Sequence, residues 1–208
     1  MKKINLETWT RRGHFEFFKR IPYPLYNTCF DLEMTRARDY ARELGLSFNA
    51  TMIHLTLSAV NRIENLRYRL RGNDVVLHDV VHPVFAHLKP GEELFKLVFQ
   101  AYDADLRSFA SKTKHAADTQ TEFFPLGALG GRDDLVFVSA LPWISFTSVD
   151  HTASLRKEDA IPRITWGKYR SVHGQILLPY NIQVNHLFVD GIHVGWFKEA
   201  LDAEINAL

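Results

Sequence analysis

A β-rich apolar run ends at His186, and four residues later the pair Asp190-Gly191 opens a helix. This stretch constrains the fold more than any other, because a strand must hand over to a helix N-terminus within a few residues. Gly191 permits a sharp turn and a close backbone approach, and Asp190 can cap the helix that follows. A histidine at a sheet edge is ordinarily a satisfied structural residue. Beside a rigid turn at the mouth of a strand, it is also placed to act as a general base near neutral pH.

The rest of the chain supplies layers around that junction. Phe15 and Phe18 repeat at helical spacing between about Arg11 and Lys19, and Pro22 and Pro24 stop that helix. Tyr26 to Leu32 reads as a strand, and Thr35 to Leu44 as an Arg-rich helix closed by Gly45. Ser47 can cap a further helix, in which Met52, Ile53, Leu55, Leu57, Ala59, Val60 and Ile63 cover most of the circumference. Gly72-Asn73 predicts a hairpin between Tyr68–Leu70 and Val75–Leu77, followed by a strand from Val80 to His87. A long helix is expected from about Glu92 to Lys114. Strands are expected at Leu135–Ala140, Ser145–Val149, Ile164–Ser171 and Ile176–His186, before a last helix from Ile192. Helices dominate the first half and strands the second, without βα alternation. That pattern predicts a two-layer α/β (α+β) sandwich with a mixed, mostly antiparallel sheet and helices on one side.

Composition narrows the function. With 208 residues, 46% of them hydrophobic, and no linker or repeat, one domain spanning 1–208 is expected. The 25 basic and 24 acidic residues are dispersed, so no concentrated basic face for nucleic acid is expected. A lone cysteine, Cys29, forms no internal disulfide and fits a reducing compartment. Charges at Glu7, Arg11 and Arg12 interrupt any signal peptide, and no window reaches the roughly 18 apolar residues of a membrane helix. The expected location is the cytoplasm.

Common phosphate and metal motifs are missing. There is no GxxxxGK[ST], no CxxC and no HExxH, and Gly127 to Gly131 lacks the GxGxxG spacing. His186, Asp190 and His193 are the one group resembling metal ligands, at a spacing uncommon for that use, so no metal is expected. Cys29 carries no local signature of a nucleophile.

The segment Gln183, His186, Asp190, Gly191 and His193 resembles the signature of the chloramphenicol acetyltransferases, within the CoA-dependent acyltransferases. Asn185, Leu187 and Ile192 depart from that family's histidine, small residue and aromatic. The resemblance is collinear over about residues 9 to 200. Trp9 to Phe18 is similar to the family's W-x-R-x-x-H-F-E-x-[FY], and Val81-His82-Pro83 and Phe124-Pro125-Leu126-Gly127 recur in order. Ala140 to Ser148 matches A-x-P-W-x-x-F-x-S, and Ile164 to Tyr169 matches I/F-T-x-x-K-Y.

The resemblance implies acetyl transfer from acetyl-CoA to a hydroxyl of chloramphenicol or a similar acceptor, in a homotrimer with sites at subunit interfaces. It makes His186 the general base, Ser148 the oxyanion donor and Thr165 a support through a bound water. Spacing alone would have Asp190 orient His186, as in a triad. The family instead pairs the aspartate with Arg11 as structural support, and leaves the histidine tautomer to its own main-chain carbonyl. Lys168, Tyr169 and Ser148 are the implied CoA contacts. The implied acceptor pocket draws on Phe17, Phe18, Tyr23 and Leu25. There Phe18 replaces a tyrosine, and the segment Ile21 to Leu25 is one residue shorter. Two alternatives stay open. One is the same chemistry on another alcohol or amine; the other is an idle CoA-binding or assembly protein, motivated by Asn185, Leu187 and Ile192.

Overall fold

The protein, a computed structural model, is described for residues 1–152 and 158–208. Its first half runs β1 (Lys2–Lys3), α1 (Arg12–Phe18), β2 (Leu25–Glu33), α2 (Thr35–Glu43), α3 (Phe48–Arg62), β3 (Tyr68–Arg71), β4 (Asp74–Leu77), β5 (His82–His87) and β6 (Lys96–Phe99). Then follow α4 (Leu106–Thr119), the short α5 (Leu126–Leu129), β7 (Leu135–Leu141), β8 (Arg163–Gly167), β9 (Arg170–Val172), β10 (Gln175–Asn185) and α6 (Gly191–Asn206).

The main sheet has the order β2-β10-β8-β7-β5-β6, with β9 also paired to β10. Only β5–β7 and β7–β8 are parallel within it, so the mixed, mostly antiparallel sheet of the sequence reading is present. A second sheet, β1-β4-β3, carries the hairpin turned at Gly72, where φ is +61°.

Period-two alternation along β10 sorts its side chains between the two faces. Tyr180, Ile182 and Val184 join the apolar core, where the Tyr180 hydroxyl meets Thr56 of α3 at 2.9 Å and its ring packs on Phe197 of α6. Helix α3 is buried nearly all round, with Met52, Ile53, Leu57, Ala59 and Val60 wholly excluded from solvent, and it packs against α2, α4 and α6. Each large aliphatic side chain buried this way contributes about 1.5–3 kcal/mol. Ser47 caps α3, its hydroxyl accepting from the Ala50 amide at 3.3 Å.

The other face of β10 is polar yet equally buried: Asn181, Gln183 and Asn185 are at most 3% exposed. Asp150, His151 and Asp159, which follow β7, satisfy part of it. His151 Nε2 lies 2.8 Å from Asn181 Oδ1, Gln183 Nε2 donates to Asp150 at 3.1 Å, and Asn185 Nδ2 donates to the Asp159 carbonyl at 2.9 Å.

Three sequence expectations need correction. The helix from Glu92 to Lys114 is instead strand β6 followed by α4, which runs on to Thr119. Leu94, Leu97 and Val98 fit helical spacing, but pairing of Lys96–Phe99 with β5 prevails. Asp105 is the true cap, accepting from the Ser108 amide at 2.7 Å. Ser145–Val149 is not a strand, having no partner strand among the described residues. Ile164–Ser171 is two strands, interrupted after Gly167, where Lys168 N donates to the Ile144 carbonyl at 2.7 Å. No described helix is long and apolar enough to cross a membrane.

Candidate active site

Strand β10 ends at Asn185, and its side chain begins the turn: Asn185 Oδ1 accepts from the Leu187 amide at 2.9 Å. The Asn185 carbonyl accepts from Phe188 and Val189 at 3.1 and 3.0 Å. Leu187, Phe188 and Val189 are buried in the core, which anchors the turn from below. Of the three departures noted in the sequence, Asn185 shapes this turn and Leu187 fills the core. Ile192 points into solvent at 57% exposure, so packing imposes no aromatic there.

Arg11, at the entrance to α1, ties this turn to the N-terminal region. Its Nε donates to the Leu187 carbonyl and its Nη2 to the His186 carbonyl, both at 2.9 Å. The same guanidinium grips Asp190 bidentately, at 2.5 and 2.6 Å. The fork geometry of arginine makes such a pair directional as well as attractive. Arg11 holds the Asp190 carboxyl down at about 2, against the opposing effect of burial.

Asp190 does more than pair with Arg11. Its Oδ1 lies 3.1 Å from His186 Nδ1, so the carboxylate faces the imidazole directly. This differs from the expectation that the ring is oriented by its own main-chain carbonyl, because Nδ1 faces the Asp190 carboxylate, while Arg11 donates to that carbonyl. The triad-like relation read from spacing is the one present.

Two aromatic rings flank the imidazole. Phe18 stacks on it at 4.1 Å and Tyr26 tilts against it at 4.5 Å. Burial, with the Asp190 charge second, pushes the Tyr26 phenol up to about 12. With Nδ1 turned to Asp190, His186 Nε2 has no hydrogen-bond partner among the described residues. The side chain remains 33% exposed. On the far side of Asp190, His193 accepts the Asp190 amide at Nδ1, 2.8 Å away. Burial first, and the Arg11 charge second, hold the His193 imidazole below its ordinary value.

The remaining candidates lie elsewhere on the chain. Thr165, on β8, is 2% exposed, and its hydroxyl is buried without a partner among the described residues. It lines a cavity of about 340 Å3 walled by Val84, Ala86, Phe95, Leu97 and Phe137, with His151 and Arg163 at its polar side. Lys168 and Tyr169 line a larger cavity of about 1040 Å3, together with Trp143, Trp166, His87 and Lys89. Ser148 is exposed in the loop after β7. Phe17 and Tyr23 are exposed and Leu25 half-buried; Phe17 meets Phe18 edge-on at 5.2 Å.

One chain thus joins His186, Asp190, Arg11 and Phe18, while no hydrogen bond, ion pair or ring contact among the described residues links them to Ser148, Thr165, Lys168 or Tyr169. Lys89 escaped the sequence reading, and Tyr26, His193 and Trp143 entered it only as a strand residue, a signature member and part of a motif, because nothing local marks the place each takes here. Among the described residues no group of three His, Cys, Asp or Glu could hold a metal ion. Cys29 is exposed, and its Sγ lies 3.3 Å from Asn181 Nδ2.

The family model described as chloramphenicol acetyltransferase matches residues 1–202. A chloramphenicol acetyltransferase of Klebsiella sp is 29% identical over 195 residues, covering 92% of this chain and 88% of the relative. Chloramphenicol acetyltransferase 2 of Escherichia coli is 30% identical over 202 residues, covering 96% and 94%. A solved chloramphenicol acetyltransferase structure superposes with a TM-score of 0.90 at 26% identity, covering 98% of this chain and 100% of that one.

Proposed function

This chain belongs to the chloramphenicol acetyltransferase family, and we propose that it transfers the acetyl group of acetyl-CoA to a hydroxyl of chloramphenicol. The observation that carries the reading is the pairing of His186 Nδ1 with Asp190 at 3.1 Å. A carboxylate on Nδ1 keeps the proton there and leaves Nε2 as the basic nitrogen. An alcohol is a poor nucleophile at neutral pH, so His186 takes its proton as it attacks the thioester carbon, then returns that proton to the leaving thiolate. The Ser148 hydroxyl donates to the oxyanion formed in between, and its loss lowers turnover about 100- to 1000-fold. Thr165 offers its unpartnered hydroxyl to a bound water beside that centre.

Acetyl-CoA fits the larger cavity chemically. Lys168 and Lys89 bring positive charge to its rim, suited to phosphates, and Tyr169 and Trp143 present flat faces suited to adenine. The cavity beside Thr165, with its largely apolar wall, suits an aromatic acceptor. Phe18 and Tyr26 serve the base itself, with Phe17, Tyr23 and Leu25 bordering the acceptor's approach. Arg11 and Asp190 hold the backbone of the site.

A homotrimer completes this arrangement, with His186 of one copy facing the Thr165 cavity of the next. The separation of the two residue groups within one chain supports that assembly. The chain acts as one domain over 1–208, in the cytoplasm, where Cys29 stays reduced. The test is CoA release, followed with a thiol reagent, from acetyl-CoA plus chloramphenicol. Turnover by the wild type that His186→Ala abolishes is expected. Release that survives His186→Ala removes the base from the mechanism. Binding of acetyl-CoA without any release strikes out chloramphenicol as acceptor.

A further inference from the structure

Helix α6 begins on a glycine, Gly191, whose position leaves open space where a side chain would stand. Gly191 therefore adds no side-chain contact of its own beside the carboxylate that faces the imidazole. The Asp190 backbone is extended, with φ −111° and ψ 172°, and its amide belongs to no helical hydrogen bond. His193, three residues on, supplies the missing acceptor: its Nδ1 receives the Asp190 amide at 2.8 Å. The converse bond runs from the His193 amide to the Asp190 carbonyl at 3.0 Å. The His193 ring is itself fixed. Its side chain is 11% exposed, and Trp196 of the next turn meets it edge-on at 5.2 Å.

We infer that His193 is a positioning residue for acetyl transfer, latching the Asp190 main chain so that its carboxylate faces His186 Nδ1. The inference rests on the proposed role of His186. The latch needs an acceptor at Nδ1, and hence a neutral ring with its proton on Nε2. Without it, the Asp190 amide is left bare at the helix start and the turn at Gly191 loosens. The Asp190 carboxylate keeps Arg11 but loses its register against His186. Residues at this third helical position commonly reach back to the cap amide in this way, with glutamine among the preferred side chains.

Two substitutions separate the latch from simple packing. His193→Leu removes the acceptor, whereas His193→Gln keeps an amide oxygen able to reach the same N–H. With His193→Leu, kcat is expected to fall about 10- to 100-fold, the scale of a catalytic group displaced by about 1 Å. KM for acetyl-CoA and for chloramphenicol stays within about twofold, because neither substrate touches the latch. His193→Gln restores most of kcat. Equal losses in both variants, unchanged kcat in His193→Leu, or a loss confined to KM would each overturn the inference.

Long-range 1H–15N spectra of the imidazoles give a readout that needs no turnover. In the wild type, His193 is expected as the Nε2–H tautomer and His186 as the Nδ1–H tautomer. In His193→Leu, His186 is expected to populate both. A wild-type His193 with its proton on Nδ1 overturns the latch even if His193→Leu fails to fold. A wild type that binds acetyl-CoA but never transfers it defeats the functional reading instead, leaving the latch to be judged by the spectra.

Discussion

The imidazole of His186 lies 4.1 Å from the ring of Phe18, centroid to centroid, and within 6° of parallel. Stacking of this kind closes one side of the imidazole and opposes its rotation away from Asp190. Phe18→Ala removes that wall. An aromatic pair contributes about 0.5–1.5 kcal/mol beyond its buried area. The expected loss in kcat is therefore between about twofold and tenfold, with acetyl-CoA affinity retained. Steady-state kinetics with each substrate varied in turn checks it, and an unchanged kcat would show that the ring only fills space.

Asp190 serves two partners, so Asp190→Asn should fail in two ways. Arg11, with its side chain 9% exposed, loses its counter-charge, and breaking a largely buried pair costs about 3 kcal/mol. An amide facing Nδ1 also ceases to select the productive tautomer, and turnover is expected to fall at least about 100-fold. Urea unfolding separates the two effects, since the kinetic loss persists at denaturant concentrations where the variant is folded.

The same carboxylate sets an acid-side dependence of stability. Its folded value, near 2, lies below the ordinary 3.8. As pH falls, the unfolded chain takes up the proton first. The contribution of Asp190 is thus complete above about pH 4–5 and disappears as pH drops through about 2. Unfolding midpoints of wild type and Asp190→Asn should converge over that window. A constant gap down to the lowest accessible pH would contradict the Arg11–Asp190 linkage.

Thr165 exposes stability and function pulling apart. Its hydroxyl is buried with no partner among the described residues, and such a group costs about 1–3 kcal/mol. Thr165→Val is expected to raise stability by about 1 kcal/mol. Transfer should slow about tenfold, the worth of one hydrogen bond made during the reaction. Thermal melts and initial rates on the same preparation test both halves. A less stable Thr165→Val would mean that the hydroxyl is satisfied in solution.

Gly167 is where β8 passes beneath the loop leading to Ser148. A Cβ there would lie 2.5 Å from the Ile144 carbonyl and 2.9 Å from both Phe146 and Pro179. Gly167→Ala must push that loop outward, at a cost of about 1–3 kcal/mol. Because Gly167 and Lys168 line the larger cavity, a raised KM for acetyl-CoA is expected alongside the lower melting temperature. An unchanged KM would separate that cavity from CoA binding.

Much of this protein was legible before any coordinates. Ser47 before an apolar run, Gly72-Asn73 between two short strands, and the alternation along Ile176–His186 each reflect chemistry acting over a few residues. The motif joining His186, Asp190 and Gly191 is local in the same sense, as is the Asn185 turn that carries it. Where the reading failed, two local signals competed. Leu94, Leu97 and Val98 satisfy a helix as well as a strand, and only pairing with Val84–Ala86 of β5 breaks the tie.

The sequence by itself determined which residues are competent: a histidine at a strand end, a carboxylate at a helix start, a threonine in an apolar strand. Tertiary structure alone decided their relations. Arg11 and Asp190 meet across 179 positions of chain, and Phe18 of α1 stacks on His186 just beyond the end of β10. Orientation followed too: Arg11 donates to the Asp190 carboxylate and to the His186 carbonyl, while Asp190 Oδ1 faces His186 Nδ1. Local propensity acts between neighbours along the chain. Ion pairing, stacking and burial act between neighbours in space, and those exist only once the sheet and helices have closed on one another.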